Sequence, residues 1–403
     1  MPRSPLTLPI LKFHLGLLLT LAALSLATNG LAIEPETSPY SKWRNGPPVS
    51  PDFFPIAVWL QSPHNAEKFK AAGINVYVGL WQGPTEEQLA ELKRADMRLI
   101  CSQNETARKH KDDPLIIGWM HGDEPDNAQE IPGGKGYGPP IPPAKIVADY
   151  EALHQHDNTR PILLNLGQGV AWDGWHGRGV RSRHPEDYVE YVRGCDIVSF
   201  DIYPGAHDNK EVAGKLWFVG DGVKRLKQWT HGKELVWNCI ECTGIGAEKP
   251  RATPAQVKAE VWMSLISGSQ GLIYFVHQFK PKFIEAGLLA DPEMLAAVTA
   301  INREIHSLAP VLNSPTLAAE VTIQSDAGTP IEVMAKRHGG SSYLFAVETR
   351  GHTGKARFQL AFRNGNGQAE VIGENRTVAV TNGSLEDSFP PWGVHLYRAP
   401  ETK

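Results

Sequence analysis

The stretch PLIIGWMHGDEPDN, residues 114–127, joins an unbroken apolar run to a cluster of acids. The run at 115–120 has no polar position, and strands of this kind are typical of a sheet that is buried on both faces. Asp123, Glu124 and Asp126 follow it directly. These acids are either part of an ordinary solvated turn or functional groups that a buried strand delivers to a site.

Seven more apolar runs have the same character, and segments with helical patterns separate them. In chain order the eight runs occupy residues 53–60, 74–81, 97–102, 115–120, 161–166, 196–204, 234–241 and 271–278. Two of the intervening helices begin with a capping-box pair, Thr85 with Gln88 and Thr253 with Gln256. Eight strand–helix units predict an α/β fold, a (β/α)8 TIM barrel. A doubly wound open sheet is the alternative, but its glycine-rich phosphate loop, GxGxxG, is missing.

The regions on either side of the barrel have different patterns. Residues 1–32 combine early basic residues, the apolar run LGLLLTLAALSLA and a small-residue end, which predicts a signal peptide and a secreted or periplasmic protein. An uncleaved N-terminal anchor is the alternative, although the run is short for a membrane span. The barrel is predicted over residues 33–312. Residues 313–403 alternate short strand patterns with turns such as NGNG, which predicts a small antiparallel β-sandwich.

The composition excludes several classes of function. A net charge of −4 gives no electrostatic basis for binding nucleic acid. The four cysteines include a CxxC pair at Cys239 and Cys242, but zinc would need a second such pair or a nearby pair of histidines. Buried thiols are the simpler interpretation, so we expect no metal and no cofactor. We expect no membrane contact for the mature protein.

Candidate site residues come from the carboxyl ends of the strands, where TIM barrels have their active sites. These are Trp59, Trp81, Gln103, Asp123, Glu124, Asn165, Trp172, Trp175, Asp201, Tyr203, Glu241 and His277. The set contains carboxylates, amides and aromatic rings, but no plausible serine nucleophile and no Cys–His pair at one strand end. Two acids suit glycoside hydrolysis, in which one protonates the leaving oxygen while the other attacks the anomeric carbon or activates water. Aromatic rings and amides suit a carbohydrate substrate.

Each candidate also has a structural interpretation. Glu124 can be a helix-start acid that interacts with a helix dipole, and Glu241 can pair with a structural arginine. Asp201 is the main alternative acid. Trp172 and Trp175 lie in a glycine-rich loop, where loop packing and sugar stacking are both reasonable, and His277 can be a packed core histidine.

The motifs DDPLIIGWMHGDEPD and VWNCIECTG resemble the strand-four and strand-seven motifs of the clan A retaining glycoside hydrolases. The resemblance implies that Glu124 is the acid/base, that Glu241 is the nucleophile, and that an aromatic such as Tyr203 holds the nucleophile. It also implies cleavage of β-linked sugars with retention. The clan has Asn before the acid/base, whereas this chain has Asp123, as does a bacterial subset. An ionised aspartate only accepts hydrogen bonds, so the way the sugar 2-hydroxyl is held must differ.

Two other classes of protein fit the same sequence. One is a barrel that binds a glycan without cleaving it, and the other is a barrel hydrolase that uses a metal ion. The paired acids favour the retaining glycoside hydrolase over both.

Overall fold

The computed structural model describes residues 38–245, 251–317, 321–361 and 365–401. The described residues belong to one compact unit. The predicted signal peptide lies outside the described residues. Within the described residues, no helix is both long and apolar enough to cross a membrane.

The eight predicted barrel strands are present, and all of their pairings are parallel. Their bounds are β1 Ile56–Trp59, β2 Val76–Val78, β3 Arg98–Cys101, β4 Ile116–Met120, β5 Ile162–Leu166, β6 Ile197–Phe200, β7 Leu235–Val236, β8 Asn238–Glu241 and β9 Leu272–Phe275. The sheet runs in the order β7-β6-β5-β4-β3-β2-β1-β9-β8. The seventh predicted strand is split at Trp237: its first half pairs with β6 and its second half with β9. The barrel is therefore closed through this one stretch of chain.

Helices follow the strands and cover the outside of the barrel. They are α1 Ala66–Ala71, α2 Glu86–Arg94, α3 Glu105–Lys109, α4 Pro143–His156, α5 Tyr188–Tyr191, α6 Trp217–Trp229, α7 Pro254–Ile266 and α8 Pro292–Leu312. Both predicted capping boxes are confirmed, at the N-termini of α2 and α7. In each, the threonine hydroxyl accepts from the glutamine N–H and the glutamine side chain accepts from the threonine N–H, so two otherwise unpaired donors are satisfied.

Two antiparallel sheets follow the barrel and confirm the predicted β-sandwich. Their strands are β10 Val321–Ser325, β11 Ile331–His338, β12 Ser341–Glu348, β13 Gly354–Leu360, β14 Gly367–Val371, β15 Arg376–Val380, β16 Ser384–Phe389 and β17 Val394–Pro400. One sheet has the order β10-β13-β16 and the other β11-β12-β17-β14-β15. The second sheet packs against α7, where Trp262 lies 5.1 Å from Phe345, centroid to centroid. Its apolar residues therefore continue the core that surrounds the barrel.

Alternation along the strands separates two apolar layers. Ile56 and Val58 of β1 face the helices, whereas Ala57 and Trp59 belong to the core inside the barrel. The same alternation gives Asn165 an inward position, two residues after the inward-facing Leu163. Polar side chains thus enter the barrel interior at the carboxyl ends of its strands.

Candidate active site

A small polar layer closes the interior of the barrel below the site. The Asn165 side-chain oxygen accepts hydrogen bonds from the Ser199 hydroxyl at 2.7 Å and the Cys239 thiol at 3.7 Å. Its amide nitrogen donates to the Asp123 carboxyl at 3.0 Å. Because the amide oxygen already accepts two hydrogen bonds, one from β6 and one from β8, the amide group has a fixed orientation and its nitrogen faces Asp123.

Asp123 lines a cleft of about 720 Å³ at the mouth of the barrel. The side chain of Asp123 is exposed where it faces the cleft, and protein atoms surround the rest of it. This partial burial raises the pKa of the Asp123 carboxyl, while the hydrogen bond from Asn165 acts in the opposite direction. The predicted substrate-binding residues Asp123 and Asn165 are therefore in direct contact.

Glu124 occupies a sharp turn that follows β4. Its backbone has a φ of +41°, in the left-handed region that residues with side chains seldom adopt. The turn is held by the Glu124 N–H, which donates to the Asn165 carbonyl at 3.2 Å. Backbone strain of this kind concentrates at functional sites, where the surrounding structure maintains it. Here it turns the Glu124 side chain toward the end of β6.

The carboxyl of Glu124 is in hydrogen-bonding contact with the carboxyl of Asp201. Two carboxyl groups in contact disfavour a second negative charge, so one of them tends to keep its proton. Burial, followed by the charge of Asp201, raises the pKa of Glu124 well above its ordinary value. Burial also raises the pKa of Asp201, while its contact with Glu124 acts in the opposite direction.

Tyr203 lies beside this pair. Its side chain hydrogen-bonds Asp201, and its ring is 5.1 Å from that of Phe275. The clan A resemblance implied a tyrosine on the strand-seven glutamate. The structure pairs this tyrosine with the strand-six aspartate instead.

Glu241 is fully enclosed at the end of β8. One of its carboxyl oxygens accepts from the Gly205 N–H at 2.6 Å, and the Ala206 N–H also contributes. The carboxyl further contacts that of Glu260, a buried residue of α7. Burial raises the pKa of Glu241, and burial together with the charge of Glu241 raises that of Glu260. The two predicted catalytic glutamates thus have different carboxyl partners.

The cleft beside Asp123 is lined largely by aromatic rings. Three predicted residues, Trp59, Trp81 and His277, line it. Gln61, which the sequence also places at the end of the first strand, lines it too. Sequence reasoning missed Phe275, Phe279, Phe283 and Glu285, which are further lining residues. The signal for the two exposed phenylalanines was their position in HQFKPKF, directly after the eighth predicted strand.

The other predicted site residues lie away from this cleft. Trp172 and Trp175 pack 5.8 Å apart, and their indole N–H groups donate to Glu211 and Asn127, both at 2.8 Å. Gln103 donates to the Leu153 carbonyl in α4 at 3.2 Å. The two tryptophans therefore form a separate aromatic cluster, while Gln103 contacts a helix that covers the barrel.

The described residues contain no group of three or more histidines, cysteines, aspartates or glutamates arranged to hold a metal ion. The cysteines at 101, 195, 239 and 242 are buried free thiols. The chemistry available at the mouth of the barrel is that of carboxyl, amide and aromatic side chains.

Gly167 gives Glu124 the space that its side chain occupies. A Cβ at position 167 would lie 2.8 Å from the nearer Glu124 carboxyl oxygen and 2.8 Å from the Asn127 amide. The Gly167 backbone, with a φ of −84°, tolerates alanine. We therefore expect Gly167→Ala to leave the fold intact and to lower, about 10-fold or more, the kcat of any reaction in which Glu124 takes part, since small misplacements of a reacting group have effects of this order.

Gly122→Ala is the matched control for this substitution. A Cβ at Gly122 meets nothing within 4 Å, although the residue lies two positions before Glu124. Steady-state kinetics and thermal unfolding of both variants test the expectation. Equal kcat values for the two alanine variants would show that Gly167 does not determine the position of Glu124.

Comparisons with known proteins support the fold. No model of a known protein family matches the sequence, and no curated protein matches it. Among solved structures, AmyP in complex with maltose has a TM-score of 0.52 at 8% identity and covers 88% of this chain and 98% of its own. The maltogenic α-amylase AmyB from Thermotoga neapolitana has a TM-score of 0.51 at 8% identity, with coverage of 86% and 99%.

A third similar structure is a glycoside hydrolase family 5 protein from Bacteroides vulgatus. Its TM-score is 0.51 at 14% identity, and the match covers 87% of this chain and 90% of that one. Similarity over nearly the whole length extends beyond the barrel. At these identities it shows that the chain shares its fold with these proteins.

Proposed function

We propose that this protein is a glycoside hydrolase in which Glu124 is the general acid. The observation that carries the proposal is the contact between the Glu124 and Asp201 carboxyls at the mouth of the barrel. A carboxylic acid that stays protonated near neutral pH is what an enzyme needs to protonate a glycosidic oxygen. The aromatic cleft beside Asp123 supplies a surface suited to sugar rings.

In the first step Glu124 gives its proton to the leaving oxygen as the bond to the anomeric carbon breaks. Asp201 keeps this proton on Glu124 until the substrate arrives, because an ionised neighbour disfavours a second negative charge. In the second step the Glu124 carboxylate takes a proton from water, whose oxygen attacks the anomeric carbon and releases the carboxylate of Glu241 from it. Asp123, fixed by Asn165, accepts a hydrogen bond from a sugar hydroxyl in place of the clan's asparagine.

The second acid of the mechanism is Glu241, which attacks the anomeric carbon and gives retention of configuration at a β-linked sugar. Backbone N–H groups at Gly205 and Ala206 support its ionised form. Because Glu241 is fully enclosed, its attack requires the chain around it to open. Retention calls for two carboxyls about 5–5.5 Å apart, and inversion for roughly 6.5–9.5 Å.

The enclosure of Glu241 favours one further candidate function. A barrel whose second acid stays paired with Glu260 would bind a glycan and leave it intact. The aromatic cleft serves this function equally well.

The similar solved structures and the sequence support the proposal in broader terms. One similar protein is described as a family 5 glycoside hydrolase, and another binds maltose. We also propose that the protein is exported, on the basis of the signal-peptide pattern in residues 1–32.

The test is hydrolysis of a panel of aryl glycosides and oligosaccharides by the wild-type protein and by Glu241→Gln and Asp201→Asn. We expect Glu241→Gln to lose activity by a factor of about 10³ or more, as for a group that forms a covalent bond. Asp201→Asn should lose less activity than Glu241→Gln, because Asp201 acts only through Glu124. Proton NMR of the first-formed product anomer reports retention or inversion.

The matched control is Glu105→Gln, which alters an exposed glutamate paired with Lys109 on α3. Its kinetics should equal those of the wild type. Binding without hydrolysis across the whole panel would favour the binding barrel over the enzyme. A product with inverted configuration would exclude Glu241 as the nucleophile.

A further inference from the structure

The cleft beside Asp123 has an aromatic wall that the catalytic scheme does not use. Phe279 is 44% exposed, Phe283 is 61% exposed and Trp81 is 70% exposed. Exposing three large aromatic side chains to water in one place is unfavourable, because burying each of them would lower the free energy. Exposed apolar patches with polar edges mark binding sites.

The two phenylalanines are held in place by the chain around them. A short hairpin carries them, in which Gln278 and Ile284 exchange two backbone hydrogen bonds of 2.9 Å each. The Phe279 N–H donates to the Gly244 carbonyl, also at 2.9 Å, which ties the hairpin to the segment after β8. The rings are therefore presented by a fixed backbone.

The rings of this hairpin continue an aromatic row from inside the barrel. Phe279 is 6.1 Å from Phe275 at an interplanar angle of 24°, and Phe283 is 6.1 Å from His277 at 23°. Phe275 in turn is 5.1 Å from Tyr203, the residue that contacts Asp201. The row leads from the carboxyl pair outward to the exposed edge of the cleft.

Trp81 is positioned by the capping box of α2. The Gln88 side chain accepts from the Thr85 N–H, and its amide nitrogen also donates to the Trp81 carbonyl at 3.1 Å. One side chain therefore caps the helix and fixes the backbone of the exposed tryptophan.

Polar groups border the same cleft. Glu285 lines it, and one of its carboxyl oxygens accepts from the Ser62 N–H at 2.7 Å. Gln61 lies beneath the rings, where its amide nitrogen donates to the Glu285 carbonyl at 2.9 Å. With Asp123, the cleft has two carboxyl groups and an amide, which suit sugar hydroxyls.

We propose that Trp81, Phe279 and Phe283 form a stacking subsite for one ring of an oligosaccharide whose reacting end lies at Glu124. This inference rests on the proposed function for the position of the reacting end. A pyranose has a face of C–H groups that packs on an aromatic ring, while its edge hydroxyls reach polar neighbours. A cleft of about 720 Å³ is within the size range of small-molecule sites and holds more than one sugar ring. The substrate is accordingly a chain and not a single sugar.

The test is direct binding, measured by calorimetric titration of neutral oligosaccharides of two to six units into the Glu124→Gln protein. In this background hydrolysis does not disturb the measurement. We expect affinity to rise with chain length until the subsite is filled. Phe279→Leu and Phe283→Leu should each weaken binding of the longer chains by roughly 10-fold, since stacking on one aromatic ring is worth about this much.

Two controls separate stacking from other effects. Phe279→Tyr and Phe283→Tyr keep an aromatic face and should bind as the parent does. Val49→Ala truncates an exposed apolar residue outside this cleft and should change nothing. Equal affinities for the leucine and tyrosine variants, or no binding of any neutral oligosaccharide at millimolar concentration, would overturn the subsite.

The binding experiment tests the subsite independently of the proposed hydrolysis. If the oligosaccharide binds at the aromatic wall but the wild-type protein cleaves nothing, the subsite stands and the hydrolase proposal fails. If the wild type cleaves oligosaccharides while the leucine variants bind them unchanged, the hydrolase proposal stands and the subsite fails.

Discussion

Glu124→Gln is expected to lower kcat for oligosaccharides by about 10³-fold, which is within the range that general acid catalysis contributes. The amide has almost the same shape but cannot donate a proton to the leaving oxygen. An aryl glycoside whose phenol leaves readily needs little protonation, so its bond cleavage should lose far less. Steady-state kinetics across phenols of graded acidity would show a steep dependence on the leaving group that the wild type lacks.

The pH profile gives a second readout of the same substitution. Glu124 must be protonated to act, so wild-type activity should fall as pH rises through its raised pKa. This alkaline limb should vanish in Glu124→Gln, because an amide does not titrate in that range.

Asp201→Asn supplies the matched comparison. Its loss of negative charge lowers the pKa of Glu124, so the alkaline limb should move to lower pH. The outcome that would contradict this has two parts: the alkaline limb of the pH profile stays unchanged in both variants, and kcat falls equally for every leaving group. Glu124 would then not be the proton donor.

The barrel was predictable because its signals are local and repeated. Eight apolar runs with intervening helical patterns identify the fold, and the capping boxes at Thr85 and Thr253 mark two helix starts to the residue. The split at Trp237 was not predictable. It depends on which neighbouring strand each half of the seventh run pairs with, and that information is spread over distant parts of the chain.

The site was predictable only as a set of strand-end positions. Strand alternation places Asn165 inside the barrel, but the contact between Glu124 and Asp201 depends on the left-handed turn after β4. Glu260 carried a signal that was overlooked: on α7 it has Val257 three residues before it and Met263 three residues after it. A lone acid on the apolar face of a helix indicates a buried carboxyl that requires a partner.

Asp126 shows why acids that are neighbours in sequence have different roles. Asp123 faces the cleft and Glu124 meets Asp201, whereas Asp126 is completely buried. Its carboxyl accepts from the Gly167 N–H at 2.9 Å and from the Tyr188 hydroxyl at 2.7 Å. The sequence groups the three acids together, and only their partners in other strands and loops distinguish them.

Asp126→Ala is expected to lower the free energy of unfolding by about 3 kcal/mol, as expected when a buried charged acceptor is removed from its donors. The Gly167 N–H and the Tyr188 hydroxyl would both lose their partner. The buried Arg178 guanidinium would also lose a nearby negative charge, although it keeps its ion pair with Asp187 at 2.7 Å. Denaturant unfolding followed by circular dichroism measures the change.

Asp173→Ala is the matched control for this last prediction. Asp173 is exposed and pairs with Arg225 at 2.7 Å on the surface. Its removal should lower the free energy of unfolding by less than about 1 kcal/mol. Asp126→Asn should fall between the two alanine variants, because an amide oxygen still accepts one of the hydrogen bonds. Since the Gly167 N–H joins the loop of Glu124 to the end of β5 through Asp126, the alanine variant should also lose activity under conditions where it remains folded. Equal stabilities for Asp126→Ala and Asp173→Ala would mean that this buried carboxyl does not hold the two loops together.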